Sequence, residues 1–119
     1  MILSLMDHYS EQLNGIFQSL ADPTRRSVLA RLGEGPASIS ELAMPFAMAL
    51  PSFMKHIHLL EENGLIRTRK LGRVRTCAIE KKSFALLEAW LSEQRALWEA
   101  RTDRLEQFVI AAEEKEKSQ

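Results

Sequence analysis

The 119-residue sequence predicts a mainly α-helical fold with one small β-hairpin, in the order α-α-α-α-β-β-α. Three observations lead there. Apolar residues recur at helical spacing in five separate segments. Two short β-prone runs meet at Leu71-Gly72-Arg73. Between the segments fall residues that start or stop helices: Asp22-Pro23, Gly33 to Pro36, Ser38, Pro51 and Asn63-Gly64.

Tyr9, Leu13, Ile16, Phe17 and Leu20 share one helix face. Asp22 is a good N-cap and Pro23 suits the first turn, where its missing N–H costs nothing. A second helix over about 23–33 buries Val28, Leu29 and Leu32, and "GEGPAS" ends it. Ser38 with Glu41 matches a capping box and opens a short third helix carrying Ile39, Leu42, Ala43 and Phe46. Pro45 removes a backbone donor and keeps that helix short or kinked. Pro51 opens a fourth helix with Phe53, Ile57 and Leu60 at helical spacing, and Asn63-Gly64 stops it. Runs 65–70 and 74–79 form the hairpin. The last helix, about 82–112, carries a heptad seam of Phe84, Leu87, Leu91, Trp98, Leu105, Phe108 and Ala112. Gln94 and Arg101 fill its two polar slots, and Trp90 and Leu97 widen the stripe.

Composition bounds the function. Apolar residues are 45% and charged residues 27%, as in ordinary globular domains, and one domain of this length buries a core without disulfide or metal staples. The sequence holds no run approaching the roughly 18 apolar residues of a membrane span. "MILSLMDHYSEQLNG" has no basic region and no long apolar region, so no signal peptide is expected and the cytoplasm is the default. The single cysteine, Cys77, permits no internal disulfide.

Net charge is zero, yet its distribution is not even. Residues 50–82 hold eight Lys and Arg against three Glu, or +5, while residues 1–49 carry −2 and residues 83–119 carry −3. A locally basic module inside a neutral chain suggests a polyanionic partner for that module.

Helix, helix, helix-turn-helix, hairpin and long helix, in that order, make a winged helix-turn-helix. The segments "LADPTRRSVLARL", "ISELA", "LPSFMKHIHLLEENGLI" and "RTRKLGR" resemble the ArsR family of bacterial transcriptional regulators. The likeness covers about residues 13–80. The tail "LWEARTDRLEQFV" resembles the subset of that family without the usual metal-site residues. The resemblance implies a winged helix-turn-helix homodimer, with the first and last helices at the dimer interface. It implies operator binding, usually as a repressor that an inducer releases. The expected plan is one domain over 1–119: N-terminal helices 10–37, helix-turn-helix 38–64, wing 65–80 and dimerisation helix 82–112.

The residues support a DNA face independently. An α-helix fits the major groove, and its early residues reach base edges. Pro51, Ser52 and Lys55 face away from Phe53, Ile57 and Leu60. Ser52 can bond a base or phosphate, and Lys55 can reach guanine or phosphate. Met54 either touches a thymine methyl or packs inward. His56 and His58 are candidate phosphate contacts, His56 equally a packed helix residue. Arg67, Arg69, Lys70, Arg73 and Arg75 surround the hairpin tip and supply sequence-independent charge. Arg25 and Arg26 either approach phosphates or play a structural part. The expected dimer interface comprises Leu13 and Phe17 of the first helix with Leu87, Trp90, Leu91, Gln94, Trp98, Arg101, Leu105 and Phe108 of the last.

No metal site is expected. The third-helix stretch "SISELAMPFAMAL" has no Cys or His, and Cys77, His8, His56 and His58 lack ligand spacing. No nucleophile–base set, phosphate loop or acid/base carboxylate pair is present, so neither catalysis nor a cofactor is expected. Cys77 is either a packed small hydrophobe or a redox switch. The expected function is a homodimeric, sequence-specific double-stranded-DNA-binding repressor on an inverted repeat, with a small-molecule inducer as a further possible partner. The rival is a winged-helix interaction module that does not bind an operator.

Overall fold

The computed structural model describes residues 2–117, with side chains from Tyr9 to Lys117; the His8 side chain lies outside the described residues. The elements are α1 (Ile2–Leu20), α2 (Pro23–Leu32), β1 (Ala37–Ser38), α3 (Ile39–Ala43), α4 (Leu50–Glu62), β2 (Ile66–Leu71), β3 (Val74–Ile79) and α5 (Lys81–Lys117). This is the expected winged helix-turn-helix with one strand added. By contact the chain forms two compact units, Met1–Leu87 and Glu88–Gln119. No described helix is long and apolar enough to cross a membrane.

The added strand is β1. It pairs antiparallel with β3, Ala37 opposite Cys77 and Ser38 opposite Thr76, giving the sheet order β1-β3-β2. Two residues cannot show alternation, so the sequence pattern gave no sign of it. Leu71 also differs from expectation. It belongs to β2 and pairs with Val74, leaving Gly72-Arg73 as a two-residue loop. Gly72 takes φ 62° at the first loop position, as a type II′ hairpin turn requires. At the C-terminus α5 runs past residue 112 because "EEKEK" contains no breaker, and Lys115 and Lys117 suit the negative end of the helix dipole.

In the first unit, α4 contributes Phe53, Ile57 and Leu60 to the core, all nearly inaccessible. They meet Val28, Leu29 and Leu32 of α2, Ile16 of α1, Leu42 of α3, and Leu65, Ile66 and Cys77 at the base of the hairpin. Phe46 stacks on Phe53 at 5.7 Å between ring centroids. The α1 stripe is only partly used here. Ile16 is buried and Leu20 packs on the core, whereas Tyr9 and Phe17 are exposed.

Caps set the helix starts. The Arg25 N–H donates to Asp22 Oδ2 at 3.1 Å, and the Glu41 N–H donates to Ser38 Oγ at 3.1 Å. The capping box is only half formed, because the Glu41 carboxylate pairs with Arg31 at 3.5 Å.

Asn63 anchors the far end of α4. Its side-chain amide donates to the buried hydroxyl of Ser19 at 2.8 Å, and its carbonyl accepts from Ser83 Oγ at 3.2 Å. These bonds tie α1, α4 and the first turn of α5 together. They leave no room beside them. A Cβ on Gly64 would come within 2.7 Å of Ser83 Oγ, and a Cβ on Gly15 would collide with the Asn63 amide. Gly15→Ala would stabilise an exposed helix by about 1 kcal/mol. Here it should cost about 1–3 kcal/mol instead, because the displaced amide leaves the Ser19 hydroxyl buried and unpaired. Urea unfolding of the two proteins checks the sign.

Candidate nucleic-acid interface

With its inner face sealed, α4 turns a polar face outward. Ala49 at the N-cap offers no side-chain bond to the first amides. Leu50, Pro51, Ser52, Lys55 and His58 are exposed. Lys55 has no hydrogen-bond or ion-pair partner among the described residues. Met54 is half-buried: it packs against the core and its remaining surface lines the groove beside the wing. Leu50, which the sequence reading passed over, is 58% exposed. The spacing 50, 53, 57 and 60 puts it in phase with the inward face, so its exposure at the first position of the helix could not be read from periodicity.

His56 is placed differently from the other candidates. It is half-buried, and Arg25 Nη1 donates to its Nδ1 at 2.9 Å. Asp22 Oδ2 lies 3.9 Å from the same nitrogen. The guanidinium of Arg25 also donates from Nε to the Ser19 carbonyl and from Nη2 to the Gln18 carbonyl, both at 2.8 Å. Arg26 donates to the Leu20 carbonyl at 2.6 Å. Both arginines therefore take the structural role: they donate to carbonyls in the last turn of α1, where Gln18 also accepts from the Ala21 N–H at 3.3 Å.

The wing divides its cations between two faces. Directly paired residues share a face, and successive residues alternate. Lys70 pairs with Arg75 and so shares the side of Thr68–Cys77 and Ile66–Ile79. Arg67 and Arg69 lie on the other side with Leu71, beside Pro36. The expected ring of five around the tip is thus not one cluster. Arg67 stands at the base of β2 and pairs with Glu80 at 3.8 Å. Lys70, Arg73 and Arg75 mark the tip. Arg73 and Arg75 line an open groove of about 630 Å³ together with Leu50, Met54, Ile39 and Val74. Like charges directly opposite in a sheet repel. Lys70 and Arg75 have no carboxylate in ion-pair range among the described residues; Arg75 reaches only Thr68 Oγ1, at 3.4 Å.

Two titratable groups are perturbed. Burial pushes the Asp22 pKa up, but the Arg25 N–H, the charges of His56 and Arg25, and the Thr24 N–H outweigh it, and the net shift is downward. Burial, and next the nearby Glu61 carboxylate, push the Cys77 thiol up to about 11 against the opposing charge of Arg75. Cys77 is fully buried in the core, so it is the packed hydrophobe of the two readings. Among the described residues no three His, Cys, Asp or Glu side chains gather to hold a metal ion.

The residues expected at a dimer interface fall in both units. In the first, Leu13 is half-buried, Phe17 exposed, and Leu87 packs on the core. In the second, Trp90 and Gln94 are half-buried and Leu91, Trp98, Arg101, Leu105 and Phe108 are exposed, Phe108 at 72%.

The chain is similar to known proteins. A helix-turn-helix domain family matches residues 20–69. The chain is 32% identical over 71 residues to the HTH-type transcriptional regulator Rv2034 of Mycobacterium tuberculosis, covering 60% of this chain and 66% of that one. It is 30% identical over 61 residues to the transcriptional repressor SdpR of Bacillus subtilis, covering 51% and 68%. The matched segments thus span about two thirds of those regulators. A crystal structure of an ArsR family transcriptional regulator, RHA00566, is 73% identical, with a TM-score of 0.73, covering 76% of this chain and 93% of that one. The chain belongs to the ArsR family of transcriptional regulators. It carries the helix-turn-helix domain of that family, whose members are regulators and not enzymes.

Two outcomes follow for this ArsR-family chain. Asp22→Ala should cost about 1 kcal/mol near neutral pH through loss of the α2 cap. Because the folded pKa of Asp22 is lowered, its contribution is complete above the ordinary aspartate range near pH 4. It is lost as pH falls through the lower folded value, so the gap between the two proteins should close in acid. Thermal unfolding from pH 7 down to pH 3 measures this. Cys77 should resist an aromatic disulfide reagent in the native protein and react at the rate of unfolding; immediate stoichiometric labelling would show that the thiol is accessible.

Proposed function

We propose that the chain is a sequence-specific double-stranded-DNA-binding regulator, acting as a homodimeric repressor on an inverted-repeat operator. The observation that carries the reading is the groove between α4 and the wing. Leu50 and Met54 of α4 line it with Arg73 and Arg75 of the wing, which have no acidic partner, and exposed Ser52 and Lys55 stand on the neighbouring outward face of the same helix start. A helix start fits the major groove, and cations lacking partners fit phosphates on its rim. The repressor sense is supported by the likeness to SdpR. Self-association is supported by the run of exposed Leu91, Trp98, Leu105 and Phe108 in the second unit, since a lone helix gains little stability without packing its apolar face. Two recognition helices would then lie about 34–36 Å apart, one DNA turn. Release by a small molecule belongs to the same reading, and thermal-shift screening of the purified protein tests it.

Fluorescence anisotropy with the DNA upstream of the protein's own gene, beside a scrambled duplex, tests the proposal at two salt concentrations. Tight binding that prefers the native DNA and weakens with salt is expected. The double variant Ser52→Ala/Lys55→Ala should lose preference for the native DNA. Arg73→Ala should weaken both duplexes alike and reduce the salt slope by about one contact, roughly 0.9 log units per log unit of salt. Absence of binding even at low salt would reject the reading in favour of an interaction module.

A further inference from the structure

We infer that Leu50 is a specificity-determining residue that reads thymine methyl groups, so that the preferred half-site carries thymine where the start of α4 enters the major groove. This rests on the DNA-binding reading above and goes beyond it by naming a base and the residue that reads it.

Leu50 is the first residue of α4 and is 58% exposed, although Phe53, Ile57 and Leu60 of that helix are buried in the core. It lines the groove with half-buried Met54 and Ile39 and with exposed Val74 from the wing. The groove thus joins an apolar floor of these four side chains, with Ser38 and Ser40 beside it, to a cationic rim formed by Arg73 and Arg75. Its one carboxylate, Glu41, is already paired with Arg31 at 3.5 Å. A cationic rim selects a polyanion, and an apolar floor would meet no complement in the phosphates themselves. In the major groove only one group answers it: the C5 methyl of thymine, the sole apolar substituent on a base edge there. Position reinforces this. The early residues of a recognition helix are the ones that approach base edges. Ser52 and Lys55 supply polar reading from the same end of α4, and neither distinguishes thymine by its methyl. Leu50 is the exposed apolar side chain placed to do so.

The test removes the methyl and nothing else. Duplexes are selected from a random pool with the full chain, and thymines in the half-sites are replaced one at a time by deoxyuridine. Wild type should lose about four-fold in affinity for a contacted methyl, the worth of one buried methyl-sized group. Deoxyuridine in the flanking sequence should change nothing. Leu50→Ala should bind thymine and uracil duplexes equally while keeping the wild-type salt slope, which shows that its phosphate contacts remain. Its melting temperature should match wild type, since the side chain is not part of the core. Equal wild-type affinity for thymine and uracil half-sites would overturn the inference and leave the DNA-binding reading intact. So would a Leu50→Ala protein that keeps the full preference. Failure to select any duplex would overturn both.

Discussion

The guanidinium of Arg25 donates hydrogen bonds to three partners on two helices. It closes the last turn of α1 through the carbonyls of Gln18 and Ser19, and it reaches His56 on α4. Its own backbone N–H meanwhile completes the cap of α2. Ser19 then acts twice, giving its carbonyl to Arg25 and its hydroxyl to Asn63 at the C-terminal end of α4. Helix α4 is therefore held to the end of α1 at two points, its middle through His56 and its C-cap through Asn63, with Ile57 and Leu60 packed between them. A helix held at its middle and at its C-terminal end, and sealed along one side, has little freedom to roll. That fixes which residues it shows outward, and the outward set is what any base reading depends on. The polar contacts are short and lie partly in the protein, where leaving a donor or acceptor unpaired costs more than a surface bond gains.

The same economy of contacts separates the chain's cations into two kinds. Arg25, Arg26 and Arg31 have intramolecular acceptors and complete the fold. Arg67 is tied to Glu80 at the base of the hairpin. Lys55, Arg69, Lys70 and Arg73 have no partner among the described residues, and Arg75 has only a long bond to a threonine. Formal charge counts all of these alike. Only the second kind can give up water and counterions to a phosphate without first breaking a bond inside the protein.

Much of this was legible in the sequence, and the exceptions share a cause. The helices, the hairpin and the inward faces of α2 and α4 could be read because periodicity and capping are local. Strand β1 could not, since two residues following Gly35-Pro36 have no period; β3 recruits them through space. Arg25 and His56 are separated by 31 positions and Ser19 and Asn63 by 44, so no local pattern marks either pair. The wing was over-read for the opposite reason. Five cations within nine residues look like one patch in sequence, but strand alternation sends Arg67 and Arg69 to the face opposite Lys70 and Arg75. Leu50 was hidden by its own spacing: it is in phase with Phe53, Ile57 and Leu60, and only the end of the helix core at its first turn leaves it exposed.

A neutral chain with a small basic module has a consequence for how it can discriminate. Each phosphate neutralised adds affinity to every DNA sequence alike, and long-range attraction is limited when the rest of the chain carries −5 against the module's +5. Few unpartnered cations mean modest non-specific binding, which lowers the background against which an operator competes. On the proposed reading, discrimination would then come from the short exposed start of α4. Its polar readers are few: Ser52 and Lys55. With so small a polar set, one apolar contact worth a few-fold per half-site is a sizeable share of the specificity, and it would be squared in a symmetric dimer that reads both half-sites at once.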